Sequence, residues 1–409
     1  MANLSEIKRS ESMSRQVQEA YICTAVRTPV GKAPRGVFKL TRPDDLLAHC
    51  LKGLLLKTPE VDPTEIGDVI VGCAMPEAEQ GMNVARISLL LAKYPNIVPG
   101  MTINRFCSSG IQAVAMAADR IKMGEADLMV AAGTESMSLI PMMGHKVVMN
   151  PAIFKDENIG IAYGMGMTAE KVADKWKVTR EEQDAFAFES HKRAIEAIKN
   201  GDFNNEILPY TTSEALPGRI GEIITNNKVI TTDEGPRADT TIEALAKLRP
   251  VFAARVSVTA GNSSQMSDGA AAILLASEKA IKKYHLQPLA RFVSFAVAGV
   301  PPEIMGIGPK EAIPKVLKQA GLKQNNIDWI ELNEAFAAQS LAVMKDLELD
   351  PKIVNPLGGA IALGHPLGAT GAIRTATIVH GMKRTNKKYG IVTMCIGTGM
   401  GAAGLIEMV

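Results

Sequence analysis

Thr102-Ile103-Asn104-Arg105-Phe106-Cys107-Ser108-Ser109-Gly110 is the stretch that decides the fold, because a strand pattern changes into a helical one within it. Apolar residues follow at helical spacing, and Gly124 is a natural stop; the apolar set is Ile111, Val114, Ala115, Ala118 and Ile121. A thiol just before a helix faces unpaired backbone N–H groups and the positive end of the helix dipole, which favour thiolate. This setting predicts a nucleophilic Cys107. The alternative is a buried small hydrophobe, the commoner role of a lone cysteine.

The arrangement around this loop recurs in the second half of the chain. Each half has a buried-strand pattern (residues 66–72 and 327–333), a short run ending in asparagine, a loop, a helix, and a strand that closes on glycine-threonine. In this register Cys107 and His365 occupy the same loop of two copies. Strands that alternate with helices predict α/β layers, and two packed halves would bring both loops to one interface. Chance similarity between two α/β segments is the alternative.

Two glycine-rich runs near the C-terminus provide partners for the first cysteine. His365 lies in residues 355–371, and Cys395 lies in residues 394–401, at the position that Ala131 holds in the first copy. A histidine bracketed by glycines and a proline belongs to a tight loop. A nucleophilic cysteine needs an imidazole to take its proton, and that imidazole is often distant in sequence. One histidine and two cysteines in such turns indicate a site with two thiol roles.

The composition describes a chain that can bury a large core and has no nucleic-acid signature. It has 409 residues, 46% of them hydrophobic, and this length suggests about two or three domains. A net charge of +2 without a long basic block, and only 4% aromatic residues, argue against nucleic acid as a ligand. Five scattered cysteines lack the spacing of a zinc site or a disulfide framework, which favours a reducing compartment. Since no run approaches the ~18 apolar residues of a membrane span, we expect a cytoplasmic protein without a membrane span or a metal.

Residues 139–267 interrupt the alternating rhythm and predict an inserted domain. They are methionine-rich at first and then carry a helix, where Thr179 and Glu182 form a capping box. An insertion beside the catalytic loops is where a substrate-covering element would lie. It runs into residues 258–272, whose small and hydroxyl side chains would let the backbone approach an extended ligand. The alternative for this run is a polar turn that caps a helix beginning at Asp268.

The predicted domain order has three parts. Residues 1–138 form the first half, residues 139–267 form the inserted loop domain over the substrate site, and residues 289–409 form the second half. We expect residues 1–20 to be a flexible leader. Residues 268–288 are expected to return and pack against the first half.

With these residues in view, the chain resembles the thiolases over residues 21–409. The matching strings, all in the family's order, are residues 104–110, 258–272, 333–337, 358–371 and 395–401. Five strings in order are far more specific than one glycine-rich loop. The resemblance implies an α/β thiolase fold, with two duplicated α/β halves in five layers (α-β-α-β-α) and an inserted loop domain.

The resemblance implies a thiolytic acyl transfer with ping-pong kinetics. His365 would accept the proton of Cys107, whose thiolate attacks the 3-keto carbon of a 3-ketoacyl-CoA. Cys395 would protonate the departing acetyl-CoA enolate and then deprotonate the incoming CoA. His365 and a water held by Asn333 would serve one oxyanion, and the backbone N–H groups of Cys107 and Gly397 the other. On its own, Asn333 after a strand is more often a helix cap.

The resemblance also implies the binding residues and the partners. Ser264 would contact the pantetheine arm of CoA, and Arg237, on its own an ordinary solvated charge, would lie near the nucleotide. The acyl site would be lined by Met165, Met305 and Phe336. CoA is a co-substrate and no cofactor stays bound; the family implies a homotetramer built as a dimer of dimers, and a multifunctional enzyme of β-oxidation is a candidate partner. The histidines that match no family site, and for which surface or satisfied-core roles are expected, are His49, His145, His191, His285 and His380.

One departure from the family bears on the substrate. Thiolases specific for acetoacetyl-CoA have a histidine immediately before the pair that reads Met165-Gly166 here, where this chain has Gly164. Residues 263–267 also resemble the degradative branch, so we favour a 3-ketoacyl-CoA thiolase of fatty-acid β-oxidation and place acetoacetyl-CoA thiolase second. A decarboxylating ketoacyl synthase would normally pair its cysteine with two histidines. A non-catalytic acyl-CoA-binding relative would be expected to lack one of the three catalytic residues.

Overall fold

The computed structural model describes residues 17–217, 223–254 and 256–409, in which strands and helices alternate. The strands in these ranges are β1 (Tyr21–Arg27), β2 (Gly31–Lys32), β3 (Ile66–Gly72), β4 (Gly100–Ile103), β5 (Leu128–Ser136), β6 (Tyr210–Pro217), β7 (Ile223–Ile230), β8 (Ser267–Ala276), β9 (Ala290–Gly299), β10 (Trp329–Leu332), β11 (Tyr389–Ile396) and β12 (Met400–Met408). The helices are α1 (Pro43–Lys57), α2 (Val84–Leu91), α3 (Ser109–Lys122), α4 (Met165–Trp176), α5 (Arg180–Asn200), α6 (Ile242–Ala246), α7 (Glu278–Tyr284), α8 (Gly308–Ala320), α9 (Ala337–Asp346), α10 (Ala360–Leu363) and α11 (Leu367–Thr385).

Strand pairing repeats in the two halves of the chain. In the first half β3 lies parallel to β4 and β5, and β5 continues antiparallel through β8 to β1. In the second half β10 lies parallel to β11, which continues antiparallel through β12 to β9. A parallel bridge between Ile330 and Val354 stands where β3 pairs with β4. Ile22 of β1 pairs with Ala290 of β9, which joins both halves in the order β10-β11-β12-β9-β1-β8-β5-β3-β4. The duplication predicted from the sequence is confirmed by this order.

Helices cover both halves and also separate them, which produces five layers. α3 and α11 pack against each other in the middle, in a core shared with both halves of the sheet. α1 and α2 cover the outer face of the first half, and α8 covers the outer face of the second. Along β5, Met129 and Ala131 enter the middle core whereas Val130 and Ala132 enter the outer one, as the two-residue period of a strand requires. The predicted five-layered α/β fold is confirmed.

Glycines allow α3 and α11 to approach backbone to backbone. A Cβ added to Gly110 would lie 2.5 Å from a backbone nitrogen of α11, and one added to Gly371 would collide with the backbone of α3. Cys107 lies just before α3, and His365 lies just before α11. This close approach therefore brings the two predicted reactive loops side by side.

Two local predictions are confirmed and one alternative is wrong. α5 begins at the capping box formed by Thr179 and Glu182, and α3 ends just before Gly124, whose φ is +70°. The alternative of a helix capped at Asp268 is wrong, because β8 already begins at Ser267. β8 is buried along its whole length and pairs with β1 on one side and β5 on the other.

The predicted division into three domains stays a prediction. β8, within the segment expected to return to the first half, pairs with strands of that half. Residues 1–16 of the expected leader lie outside the described residues. Within the expected leader, Gln18 donates a backbone hydrogen bond to Lys122 and Ala20 is fully buried. None of the helices in the described ranges is both long and apolar enough to span a membrane.

A buried ion cluster ties the inserted segment to β1. Arg27 Nε lies 2.6 Å from a carboxylate oxygen of Glu206, and Arg27 Nη1 lies 2.7 Å from one of Asp233. All three side chains are almost wholly buried, and both carboxylates belong to the segment between residues 139 and 267. A buried cation with two buried anions is strongly destabilised when one member is removed, so this cluster holds the insertion in place.

Candidate active site

Cys107 lies in a short 3-10 turn, Phe106–Ser108, that leads directly into α3. The turn is held by two local bonds: the Phe106 backbone N–H donates to Asn104 Oδ1 over 2.8 Å, and the Arg105 N–H donates to Ser109 Oγ over 2.8 Å. Phe106 has φ +45°, a left-handed conformation that costs an L-residue energy and recurs at functional sites. Cys107 as a whole residue is partly exposed. The turn thus fixes the thiol at the mouth of the interface between the two halves.

The second predicted cysteine and Gly397 lie beside the first. Cys395 is fully buried near the end of β11, and its thiol interacts electrostatically with the Cys107 thiol. Burial raises the pKa of Cys395 far above its ordinary value, and the neighbouring Cys107 raises this pKa further. The backbone N–H of Gly397 is in hydrogen-bonding position to the Cys107 sulfur. Three of the predicted catalytic positions are therefore in one place.

The surroundings of Cys107 favour the thiol and not the expected thiolate. Burial raises the pKa of the Cys107 thiol to about 11, although hydrogen bonds from the backbone N–H groups of Gly397 and Cys107 lower it in part. The helix terminus alone would lower this pKa, but desolvation of the charged form outweighs it and depends on neighbours from distant segments. The sulfur consequently rests as a thiol, and it needs a base to become a nucleophile.

His365 carries a neutral imidazole, and hydrogen bonds fix both its backbone and its ring. Burial and the nearby Arg374 cation lower the pKa of His365 to about 3. Its backbone N–H donates to the Gln265 carbonyl and to Ser267 Oγ, each over 3.1 Å. Its Nδ1 lies 2.6 Å from Thr370 Oγ1. A neutral ring that is fixed in this way can act as a proton acceptor at working pH.

Asn333 contacts the other nitrogen of this ring. Its Nδ2 lies 3.3 Å from His365 Nε2, and its Oδ1 is buried without a hydrogen-bond partner in the described part of the chain. The helix-cap alternative for Asn333 is wrong, because α9 begins at Ala337 and Phe336 is its capping position. The predicted pair of Asn333 and His365 is thus brought together from β10 and the loop before α11.

A cavity of about 370 Å³ opens beside His365, and several predicted binding residues line it. Ser264 and Phe336 face it from two adjacent segments, joined by the Ser264 N–H that donates to the Ala335 carbonyl over 2.9 Å. Much of the wall is thioether, from Met137, Met142, Met165, Met167 and Met266. Gly164 also lines the cavity. Flexible methionines can repack around ligands of different size.

The two remaining predicted binding residues lie in different places. Met305 is buried behind the cavity, in one apolar cluster with Met165, Phe336 and Cys395. Arg237 does not line the methionine-rich cavity. It lines a second cavity of about 410 Å³, beside α5, with Lys192 and Lys199.

The loop that carries Arg237 connects the two cavities. The backbone N–H of Arg237 donates to His191 Nδ1 over 3.2 Å, and Gln265 Nε2 donates to the Gly235 carbonyl over 3.0 Å. Burial and the Arg237 charge lower the pKa of His191 to about 4, so this histidine is a satisfied core residue of the kind expected from the sequence.

Two residues of the site escaped the sequence analysis. Thr370 contacts His365, and nothing in a threonine five residues further along a glycine-rich run indicates that contact. Glu135 is buried and accepts hydrogen bonds from the backbone N–H groups of Ala74, Met75 and Gly368, which ties the first half to the start of α11. Its position directly after Gly133-Thr134 in the sequence was the available signal, but a carboxylate there usually faces solvent.

The arrangement can perform nucleophilic and proton-transfer chemistry. The thiols of Cys107 and Cys395 lie together, and a neutral imidazole faces the adjoining cavity. In the described part of the chain, no group of three or more histidine, cysteine or carboxylate side chains is placed to hold a metal ion.

Comparison with known proteins gives one consistent result. The family model described as "Thiolase, N-terminal domain" matches residues 20–279, and "Thiolase, C-terminal domain" matches residues 286–408. A 3-ketoacyl-CoA thiolase of Bacillus subtilis is 50% identical, over 96% of this chain and 100% of the relative. A beta-ketoadipyl-CoA thiolase of Pseudomonas aeruginosa is 44% identical, over 96% and 100%. The crystal structure of the Bacillus anthracis acetyl-CoA acetyltransferase is 39% identical, covers 97% of this chain and 100% of its own, and superposes with a TM-score of 0.86.

Proposed function

Because this chain belongs to the thiolase family, whose members are acyltransferases with CoA as a substrate, we propose that it cleaves 3-ketoacyl-CoA with CoA. The products are acetyl-CoA and an acyl-CoA two carbons shorter, as in fatty-acid β-oxidation. The observation that carries this proposal is the methionine-lined cavity, which opens on His365 and whose lining side chains pack against Cys107 and Cys395. Such a wall suits acyl chains of varied length.

The first half-reaction makes an acyl-enzyme on Cys107. Its thiol keeps its proton in the free enzyme, since its pKa is about 11 and that of His365 is about 3. The proton therefore moves to His365 as the sulfur attacks the 3-keto carbon. The bond between carbons 2 and 3 then breaks, which leaves the acyl group on sulfur and releases the acetyl-CoA enolate.

Cys395 donates a proton that completes the first half-reaction and accepts one in the second. Burial raises the pKa of this thiol, so it is protonated when the enolate forms and can donate to the enolate carbon. The resulting thiolate takes the proton of an incoming CoA, whose sulfur attacks the acyl-cysteine. Cleavage of the carbon–sulfur bond releases the shortened acyl-CoA, and the Cys107 thiolate takes back its proton from protonated His365, so both thiols are restored.

Oxyanion stabilisation completes the proposed chemistry. The backbone N–H groups of Cys107 and Gly397 would donate to the oxygen of the attacked ketone. The thioester oxygen of the departing unit would accept from protonated His365 and from a water on Asn333, whose Oδ1 has no partner in the described residues. Developing negative charge would be stabilised by donors that are already oriented, which lowers the barrier without reorganisation.

Substrate binding is proposed along the two cavities. Ser264 would contact the pantetheine arm, and Met165, Met305 and Phe336 would surround the acyl chain. Arg237, with lysines around its own cavity, would hold the nucleotide of CoA. The inserted segment 139–267 would cover this site. We further propose a cytoplasmic homotetramer that receives its substrate from a multifunctional enzyme of β-oxidation.

Two related substrates are alternatives within this family. Acetoacetyl-CoA is favoured by the likeness to the acetyl-CoA acetyltransferase of Bacillus anthracis, but Gly164 leaves the acyl end of the cavity open. A beta-ketoadipyl substrate carries a free carboxylate at the far end of its acyl chain. Among the described residues that line the methionine-rich cavity, His365 alone can become cationic, and its low pKa keeps it neutral, so this substrate is disfavoured.

A substrate ladder combined with mapping of the acyl-enzyme tests the proposal. Steady-state thiolysis of 3-ketoacyl-CoA with four to twelve acyl carbons should show parallel double-reciprocal lines. Quenching without CoA and digesting the protein should place the thioester on Cys107. A stable adduct on Cys395 with Cys107 unmodified would overturn the assignment. Absence of turnover and of acylation with every substrate would favour a binding protein instead.

A further inference from the structure

We infer that Thr370 is the residue that positions His365, by holding Nδ1 of the ring so that Nε2 is the nitrogen that receives the proton. This inference rests on the proposed function, in which His365 is the base for Cys107. The contact between Nδ1 and Thr370 Oγ1 is 2.6 Å long, and both side chains are buried. Thr370 does not line either cavity. It can act only through the histidine.

The backbone on both sides explains how this contact forms. His365 makes a strand-like bridge with Met266, and its N–H donates to Gln265 and Ser267, so the start of the loop is anchored. α11 begins at Leu367, which turns Thr370 of the first helical turn back towards the ring. The backbone of the histidine is thus held by one segment and its ring by another.

The hydroxyl of Thr370 departs from the usual behaviour of a helical threonine. Such a hydroxyl commonly donates to the backbone carbonyl four residues earlier. Thr375, on the same helix, does so: its Oγ1 donates to the Gly371 carbonyl over 2.7 Å. The hydrogen bond of Thr370 is instead the one with His365. The two threonines therefore form a natural pair for comparison.

The tautomer of the ring follows from its two neighbours. Asn333 Nδ2 is a donor only, so we assign Nε2 as the acceptor in that contact. In a neutral ring the proton then lies on Nδ1, which donates to Thr370 Oγ1. A carboxylate in place of the hydroxyl would stabilise the imidazolium and raise the pKa of His365. A neutral acceptor selects the tautomer without adding charge.

This arrangement serves the proposed transfer in a specific way. Nε2 would exchange the hydrogen bond from Asn333 for the thiol proton, and the bond from Nδ1 to Thr370 strengthens as the ring gains charge. Without the hydroxyl, the buried Nδ1–H would lose its acceptor and the ring could adopt the other tautomer. The proton would then occupy Nε2 before the reaction, and the base would be blocked.

Three variants test the inference in the full-length enzyme. Thr370→Val keeps the shape and removes the hydroxyl; we expect kcat to fall about 10²-fold with KM changed less than about threefold, as for loss of base positioning. Thr370→Ser restores a hydroxyl and should retain kcat within about threefold. Thr375→Val removes a buried hydroxyl from the same helix that makes no contact with His365, and its kcat should match the unmodified enzyme.

Single-turnover acylation of Cys107 provides the second readout, because this step uses His365 as the base. It should slow in Thr370→Val in proportion to kcat and remain fast in the other two variants. If Thr370→Val retains near-native kcat while the unmodified enzyme is active, the inference fails and the proposed function stands. An unmodified enzyme that neither turns over nor acylates contradicts the proposed function itself.

A structural role for the hydroxyl is distinguished by folding. Thermal unfolding should show that Thr370→Val and Thr375→Val lose similar amounts of stability. If Thr370→Val does not fold, Thr370→Ala replaces it, because alanine removes the hydroxyl with less bulk. If Thr370→Val and Thr370→Ala both fail to fold while Thr370→Ser folds, the hydroxyl is a structural group and the positioning role is overturned. A Thr370→Ser enzyme that is as slow as Thr370→Val would also overturn the positioning role.

Discussion

Replacing Gly164 by histidine should narrow the range of acyl chains that the enzyme accepts. Gly164 lines the methionine-rich cavity and directly precedes α4, with φ −62° and ψ 150°. These angles are open to any L-residue, and a Cβ added there would meet nothing within 4 Å. An imidazole can therefore be accommodated without disturbing the fold, and it would fill the acyl end of the cavity with a polar group. Gly166 offers no such freedom, since its Cβ would collide with the Phe252 ring.

The size of the effect follows from the apolar surface that a longer chain buries. Each methylene removed from water contributes about 0.8 kcal/mol, so two extra carbons could contribute about 1.6 kcal/mol. If about 1.4 kcal/mol is realised in the transition state, kcat/KM of the unmodified enzyme rises roughly tenfold from acetoacetyl-CoA to six- or eight-carbon substrates. Gly164→His should remove this advantage. Its kcat/KM for the longer substrates should fall about tenfold, with less than about a threefold change for acetoacetyl-CoA.

The assay is steady-state thiolysis of 3-ketoacyl-CoA with four, six and eight acyl carbons by both enzymes. Gly164→Ala is the matched control, because one methyl group adds little to an open position and should leave the profile unchanged. Urea denaturation of all three proteins checks that the folded state is equally stable. An unmodified enzyme that prefers acetoacetyl-CoA and rejects longer chains would refute the degradative assignment and favour acetoacetyl-CoA thiolase. An unchanged ratio in Gly164→His would refute the placement of the acyl chain.

Three further predictions address the chemistry and the stability of the protein. Cys395→Ala should lower kcat by about 10²–10⁴-fold, as for loss of a positioned acid and base, while Cys107 still becomes acylated; near-native thiolysis would contradict the role. Because burial raises the pKa of Cys107 to about 11, its thiolate fraction grows with pH. Alkylation of Cys107 in the free enzyme by iodoacetamide should therefore accelerate about tenfold per pH unit between about pH 7 and 9. A plateau of the alkylation rate below about pH 8 would indicate a depressed pKa instead. Arg27→Met should leave the buried carboxylates of Glu206 and Asp233 without a cation and lower the free energy of unfolding by about 3–5 kcal/mol in urea titrations. A loss under about 1 kcal/mol would contradict the stabilising role of this buried ion cluster.

Features that depend on residues close in the chain could be predicted from the sequence. The helix behind Cys107 and the capping box of Thr179 and Glu182 rest on spacings of three and four residues, which neighbouring turns of a helix impose by themselves. The duplication was visible because each half repeats the same order of strand, loop and helix. The ordered sequence motifs around Cys107, His365 and Cys395 were sufficient to identify the family.

Features that depend on burial and on contacts between distant segments were decided only by the tertiary structure. Asp268 lies in a strand because β8 is covered on both faces, and a run of small residues has no periodicity to indicate this. The Cys107 thiol has a raised pKa because segments far along the chain remove it from water, which outweighs the helix terminus beside it. The partners of His365 are Thr370 and Asn333 because α11 and β10 converge there. Hydrogen bonding and desolvation act through space, so local pattern sets the elements of this protein and packing sets the chemistry of its site.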